Sequence, residues 1–147
     1  MNRLFGRSFA TGRVAWGLLV VRLVFGSALF AHGLNKIGAP TSWLGAQSPG
    51  VAPALQALVC FGELAGGAAL FFGFLTPLAA LGVGTMMIGA ATVVHGAHPW
   101  VADSGPSKEN SLNYGAVAVL LWLCGPGRWS LDAALARWLA ARSSNSE

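Results

Sequence analysis

The chain has 147 residues, of which 54% are hydrophobic and only 10% charged, where a soluble domain carries about 25% charged residues. That balance excludes a soluble globular protein and indicates a membrane one. The net charge of +4 does not indicate a nucleic-acid partner, because the nine Lys and Arg are scattered, nearly all at the ends of apolar segments, rather than along one basic face.

Residues 1–13 form a short basic arm with Leu4, Phe5 and Phe9 interleaved, a pattern suited to an anionic membrane surface or to a frayed tail. Arg3, Arg7 and Arg13 ahead of an apolar run have the look of a secretion signal, but Arg22 interrupts that run and the run continues too far. A retained first span is therefore predicted over residues 14–34. Residues 38–53, rich in Gly, Pro and Ser, read as a loop with Trp43 as an interfacial anchor. The second span is predicted over 54–75.

Thr76-Pro77 starts the third span almost at once, since proline is tolerated in a helix's first turn. Spans two and three, the latter over 78–94, should form a tight antiparallel hairpin. A polar loop holding Asp103, Lys108 and Glu109 leads to the fourth and shortest span, 112–124, extended outward through Asn110 and Ser111, with Asn113 and Tyr114 facing protein or the interface. Gly125-Pro126-Gly127 stops that helix. Ser130 is placed to cap a last helix over 130–141, with Asp132 in its positive first turn. Leu131, Leu135, Trp138 and Leu139 recur on this helix at helical spacing, beside Arg128, Arg137 and Arg142, as in helices that lie flat on a membrane.

The expected architecture is an all-α membrane protein: one domain over 1–147, a four-transmembrane-helix bundle with a C-terminal interfacial amphipathic helix. Three basic residues in the N-terminal arm and three after the fourth span, against Lys36 and Lys108 in the other two loops, place the N- and C-termini in the cytoplasm.

A fixed positive charge at Arg22, within a segment greasy enough to span, needs a partner, since an unpaired arginine at membrane depth costs roughly 2.5–3.5 kcal/mol on insertion scales. Glu63 is the acid at similar depth. Arg22 is about eight residues from the inner edge and Glu63 about nine from the outer one, so each is ~12–14 Å deep in a ~30 Å core. The pair is expected either to lock helices one and two or to line a polar pocket for a quinone, a proton or another small ligand. Gly62, Gly66 and Gly67 are expected to let another backbone approach Glu63, and Met86 and Met87 to fill gaps. His32, Lys36, His95 and His98 leave their helices at the outer end and are candidates for one pocket mouth. No metal is expected: His95 and His98 are three apart, but Gly96 and Pro99 interrupt the helix and no further ligand completes a set. Cys60 and Cys124 are in no redox or metal motif, and a thiol role is not expected.

Three stretches resemble the DoxX family of small bacterial membrane proteins: R-x-x-x-G-x-x-x-F-x-H-G-x-x-K over residues 22–36, G-E-x-x-G-G-x-x-L-x-x-G-x-x-T-P-x-A-A over 62–80, and GPGRWSLD over 125–132. His95, Trp100 and Glu109 also resemble positions around that family's third loop. The resemblance implies a four-helix bundle in the bacterial inner membrane, related to the quinone-reducing DoxD subunit of thiosulfate:quinone oxidoreductase, with Arg22, His32, Lys36 and Glu63 as motif positions.

Two functions follow as expectations. One is a membrane subunit of a redox-associated complex that binds quinone near Arg22 and Glu63 and works with a soluble partner, because the chain has no cysteine motif or haem-ligand pair to complete an electron path. The alternative is a structural scaffold whose polar pair sets helix packing and whose C-terminal helix holds another protein. Beyond lipids, a protein partner or a homo-oligomer is expected. A transporter is disfavoured, since four short helices leave little room for a gated path.

Overall fold

The structure, a computed structural model, describes residues 9–45 and 50–144. The first eight residues of the expected basic arm lie outside the described residues. Five helices follow in order: α1 Gly12–Lys36, α2 Pro53–Phe72, α3 Thr76–Gly89, α4 Glu109–Cys124 and α5 Leu131–Ser144. A wider π-helical turn, Ala90–Val94, prolongs α3. No strand is present among the described residues. α1, α2 and the run Thr76–Val94 are long and apolar enough to cross a membrane. α4 has 16 residues, about 24 Å at 1.5 Å per residue, and so falls short of a ~30 Å hydrocarbon core.

The helices pack around Leu18, Phe25, Leu29, Leu70, Val83, Met87, Ala118 and Leu121. The outer surface is apolar as well: Val24, Leu58, Leu78, Ile88 and Leu123 are all more than 60% exposed, the pattern of helices solvated by lipid rather than water.

Glycines set how α1 and α2 cross. A Cβ at Gly67 would stand 2.6 Å from the Phe30 backbone nitrogen, and one at Gly26 would stand 2.6 Å from that of Phe71. Only glycine permits backbones this close. Gly33 opposes Leu64 in the same way, so each step along α1 is matched by a step back along α2. Gly62 and Gly66 face the third helix instead, against Met86 and Val83. Met86 fills the space that Gly62 leaves.

The connection from α2 to α3 is as tight as expected. Gly73 adopts φ 66° and Leu75 φ 46°, and Pro77 occupies the first turn of α3. Both residues are in left-handed conformations, which glycine adopts freely and leucine only at a cost. At the C-terminal side, the glycines of the Gly-Pro-Gly run also take positive φ. Arg128 N–H then donates to the Ala10 carbonyl at 3.1 Å, which brings the end of α4 and the start of α1 together.

Candidate functional site

The register of α1 on α2 decides which charges meet. Extending the opposition of Gly26 with Phe71 and of Gly33 with Leu64 places Arg22 opposite the α2–α3 turn and Glu63 opposite the end of α1. The expected Arg22–Glu63 pair therefore does not form. Twelve residues separate Glu63 from Leu75, so the two charges lie roughly 18 Å apart along the bundle axis. The expected depths require the two spans to enter the membrane level with each other. In fact, α1 begins ten residues before Arg22 and overhangs the hairpin by about 15 Å.

Glu63 pairs with Lys36 instead. Lys36 Nζ donates to Glu63 Oε1 at 2.5 Å. The same ammonium lies 4.1 Å from the centre of the Trp43 ring, a cation–π contact. Trp43 is thus a roof over the pair rather than a free interfacial anchor, and the loop holds it there: its Nε1–H donates to the Gln56 carbonyl at 2.9 Å, while Leu44 N–H donates to Gln56 Oε1 at 3.2 Å and Gln56 Nε2 donates to the Val51 carbonyl at 3.1 Å. Glu63 is 5% exposed. Its second oxygen, Oε2, is buried with no hydrogen-bond partner among the described residues.

Arg22, 1% exposed, is used at the opposite end. Its Nη2 donates to the Trp129 carbonyl at 2.5 Å, and Nη1 lies against Gly73, where a Cβ would be 1.6 Å away. The Asp132 carboxylate acts on it electrostatically without forming an ion pair. Asp132 stands in the first turn of α5, as expected, but its carboxylate also serves another helix. Its Oδ1 and Oδ2 accept the Leu75 and Thr76 backbone N–H groups at 2.7 and 2.9 Å, capping α3 from across the bundle. Ser130 caps α5 as expected, its Oγ accepting from Ala133 N–H at 3.1 Å.

The four residues expected around one mouth fall into three separate contacts. Lys36 belongs to Glu63; His32 Nε2 is 3.4 Å from the Tyr114 hydroxyl, whose ring packs edge-on against Phe25; and His95 Nδ1 is 3.4 Å from His98 Nδ1. No hydrogen bond, ion pair or ring contact among the described residues joins the three. No group of three His, Cys, Asp or Glu able to hold a metal occurs among the described residues. An apolar groove of about 310 Å³ between α3 and α4 passes Gly84, Met87, Gly115 and Trp122; Thr85 and Ser111 also line it, but no ionisable side chain does.

Residues 17–96 match the DoxX family model. The chain belongs to the DoxX family. No curated protein and no solved structure matched. The matched residues hold the first two DoxX-like stretches and so all four of Arg22, His32, Lys36 and Glu63, while GPGRWSLD lies beyond them. The DoxX fold of this chain nonetheless depends on that last stretch, since it supplies both Trp129 and Asp132. Sequence reasoning missed Asp132 as the acid nearest Arg22, and it missed Trp43 and Gln56 around Lys36. The signal for Asp132 was its place in GPGRWSLD, one of the three family-like stretches, as Arg22 stands in another. Nothing in the sequence marked Gln56.

Proposed function

We propose that this DoxX protein is an integral membrane subunit of a redox-associated complex, crossing the bacterial inner membrane four times with both termini cytoplasmic, and that a quinone-type ligand is met at Lys36 and Glu63 rather than at Arg22. The observation that carries the site is the unpartnered, buried Glu63 Oε2 beside a Lys36 ammonium under an indole roof. A buried carboxylate oxygen left without a donor is costly, and a bound donor relieves it. A quinone ring needs a donor for its carbonyl oxygen and, once reduced, an acceptor for its hydroxyl. Lys36 is the donor, Glu63 Oε2 the acceptor, and Trp43 offers a flat face for stacking. The redox character rests on the resemblance, and electrons would come through a partner protein.

The test is to purify the protein in mild detergent and quantify quinone in its lipid extract. Glu63→Gln and Lys36→Met should each lower bound quinone at least tenfold while Arg22→Lys, if folded, leaves it unchanged. Equal quinone in all variants sinks the site. A scaffold function has its own support, because the Arg22 Nη2 bond to the Trp129 carbonyl and the Asp132 bonds to Leu75 and Thr76 tie α1, the α2–α3 turn and the start of α5 together. On that reading the wild-type extract holds no quinone above the membrane background, and co-purifying proteins are the same in the Lys36 and Glu63 variants.

A further inference from the structure

Among the described residues, α5 is buried only in its first turn. Asp132 and Ala133 are buried, and from Ala134 to Ser143 every residue is exposed except the half-buried Ala136. Leu131, Leu135, Trp138 and Leu139, each at least 40% exposed, fall within one sector of about 100° at helical spacing, which borders the buried Asp132 on one side and also holds Arg142 near the helix end. The charges are sorted too. Asp132 is the one acid in residues 125–144, and its carboxylate is withdrawn into the bundle to cap α3. What remains outside is cationic: Arg128, Arg137 and Arg142. Arg13 at the start of α1 stands at the same end, because Arg128 is bonded to Ala10.

Two of the guanidinium groups are held on indoles. Arg128 lies 4.8 Å from the Trp129 ring centre and Arg142 4.0 Å from that of Trp138, and Trp16 packs against Trp129 with centroids 5.5 Å apart. Tryptophan with arginine is the chemistry of the headgroup level, apolar body inward and charge outward. The height fits as well, since Asp132 N–H donates to the Gly73 carbonyl at 2.9 Å and so fixes α5 at the turn where two apolar helices reverse, which is a membrane boundary. We infer that α5 and the adjoining start of α1 form a docking surface for the anionic phospholipids of that leaflet, with the Leu131–Leu139 stripe in the acyl boundary and the arginines on headgroup phosphates. A protein partner would leave this height, shared with the bilayer edge, without a reason.

The experiment takes the full chain in mixed micelles of phosphatidylcholine and phosphatidylglycerol, removes excess lipid, and measures by native mass spectrometry the ratio of the two lipids retained. Phosphatidylglycerol should be enriched on the wild type. Enrichment should fall on the order of fivefold per arginine in Arg128→Gln with Arg142→Gln, following about 1 kcal/mol per basic residue near an anionic surface. Leu135→Ser with Trp138→Ser should lower retention of both lipids. All four positions are exposed; should a variant still fail to fold, a salt series on the wild type decides the matter, since enrichment must decline as salt screens the headgroup charge. An unchanged lipid ratio in the arginine variant, or enrichment insensitive to salt, overturns the inference. So does loss of a dimer or of a co-purifying protein in the variants with lipid unaltered, which would assign the stripe to a second copy or a protein partner.

Discussion

At the scale of single residues, the buried charges are divided between two ends of the molecule, and their energetics should divide in the same way. Removing one partner of a buried pair costs roughly 3–5 kcal/mol, because the other charge is left uncompensated. Lys36 keeps 17% side-chain exposure, so Lys36→Met or Glu63→Gln should fall at the lower end of that range. The double variant should recover much of it. Arg22→Met and Glu63→Gln, by contrast, share no partner and should add to within about 0.5 kcal/mol. Denaturation in detergent of the three single and two double variants measures both couplings. Non-additivity between Arg22 and Glu63 would contradict the register described here. Arg22 itself retains two nitrogens, Nε and Nη1, without hydrogen-bond partners among the described residues, so its contact with Trp129 is what holds it, and variants that displace residues 125–132 should behave like variants of Arg22.

At the scale of elements, glycine acts in two different ways on adjacent helices. Gly67 cannot accept a Cβ without meeting the Phe30 backbone, whereas Gly82 has nothing within 4 Å. Gly→Ala in a helix gains up to about 1 kcal/mol in propensity, so Gly82→Ala should be neutral or stabilising. Gly67→Ala should destabilise by ~1–3 kcal/mol as the helices are forced apart. Thermal unfolding of the two variants reads the difference directly. The turn after α3 makes a pH prediction. Burial, and then the neighbouring His98, hold the His95 imidazole below its ordinary 6.5. A depressed histidine binds fewer protons folded than unfolded, so its contribution is present above 6.5 and is lost as pH falls through the lowered folded value. Hydrogen exchange of residues 95–98 should therefore accelerate as pH drops from about 7 to about 5, after correction for intrinsic rates, and His98→Gln should weaken that dependence by removing one of its two causes. An acceleration unaffected by the substitution would show that His98 plays no part.

For the whole molecule, the start of α1, the α2–α3 turn and the start of α5 meet at one end, joined by the Arg128–Ala10, Asp132–Gly73 and Asp132–Thr76 bonds. With the basic residues concentrated near that end, the positive-inside rule predicts that it faces the cytoplasm. Reporter fusions at Asn2 and after Glu147 should read inside, and one at Ser104 outside. A C-terminal fusion that reads outside overturns the four-span topology, leaving the 16-residue α4 as a helix that does not cross.

The all-helical, membrane-embedded character of the chain and the positions of its helices were legible in the sequence. Long apolar runs, the Thr76-Pro77 start, the Gly-Pro-Gly stop and the Ser130 cap act on the few residues around them. The partners of Arg22 and Glu63 were not legible, because they depend on how far one helix is displaced along another. That offset is set where Gly26 and Gly67 let two backbones touch, and it carries α1 past the hairpin end. Arg22 thereby reaches Trp129, far along the chain, while Lys36, at the other end of α1, comes down onto Glu63. Composition determines that a buried charge must be compensated; only the tertiary register decides by which group.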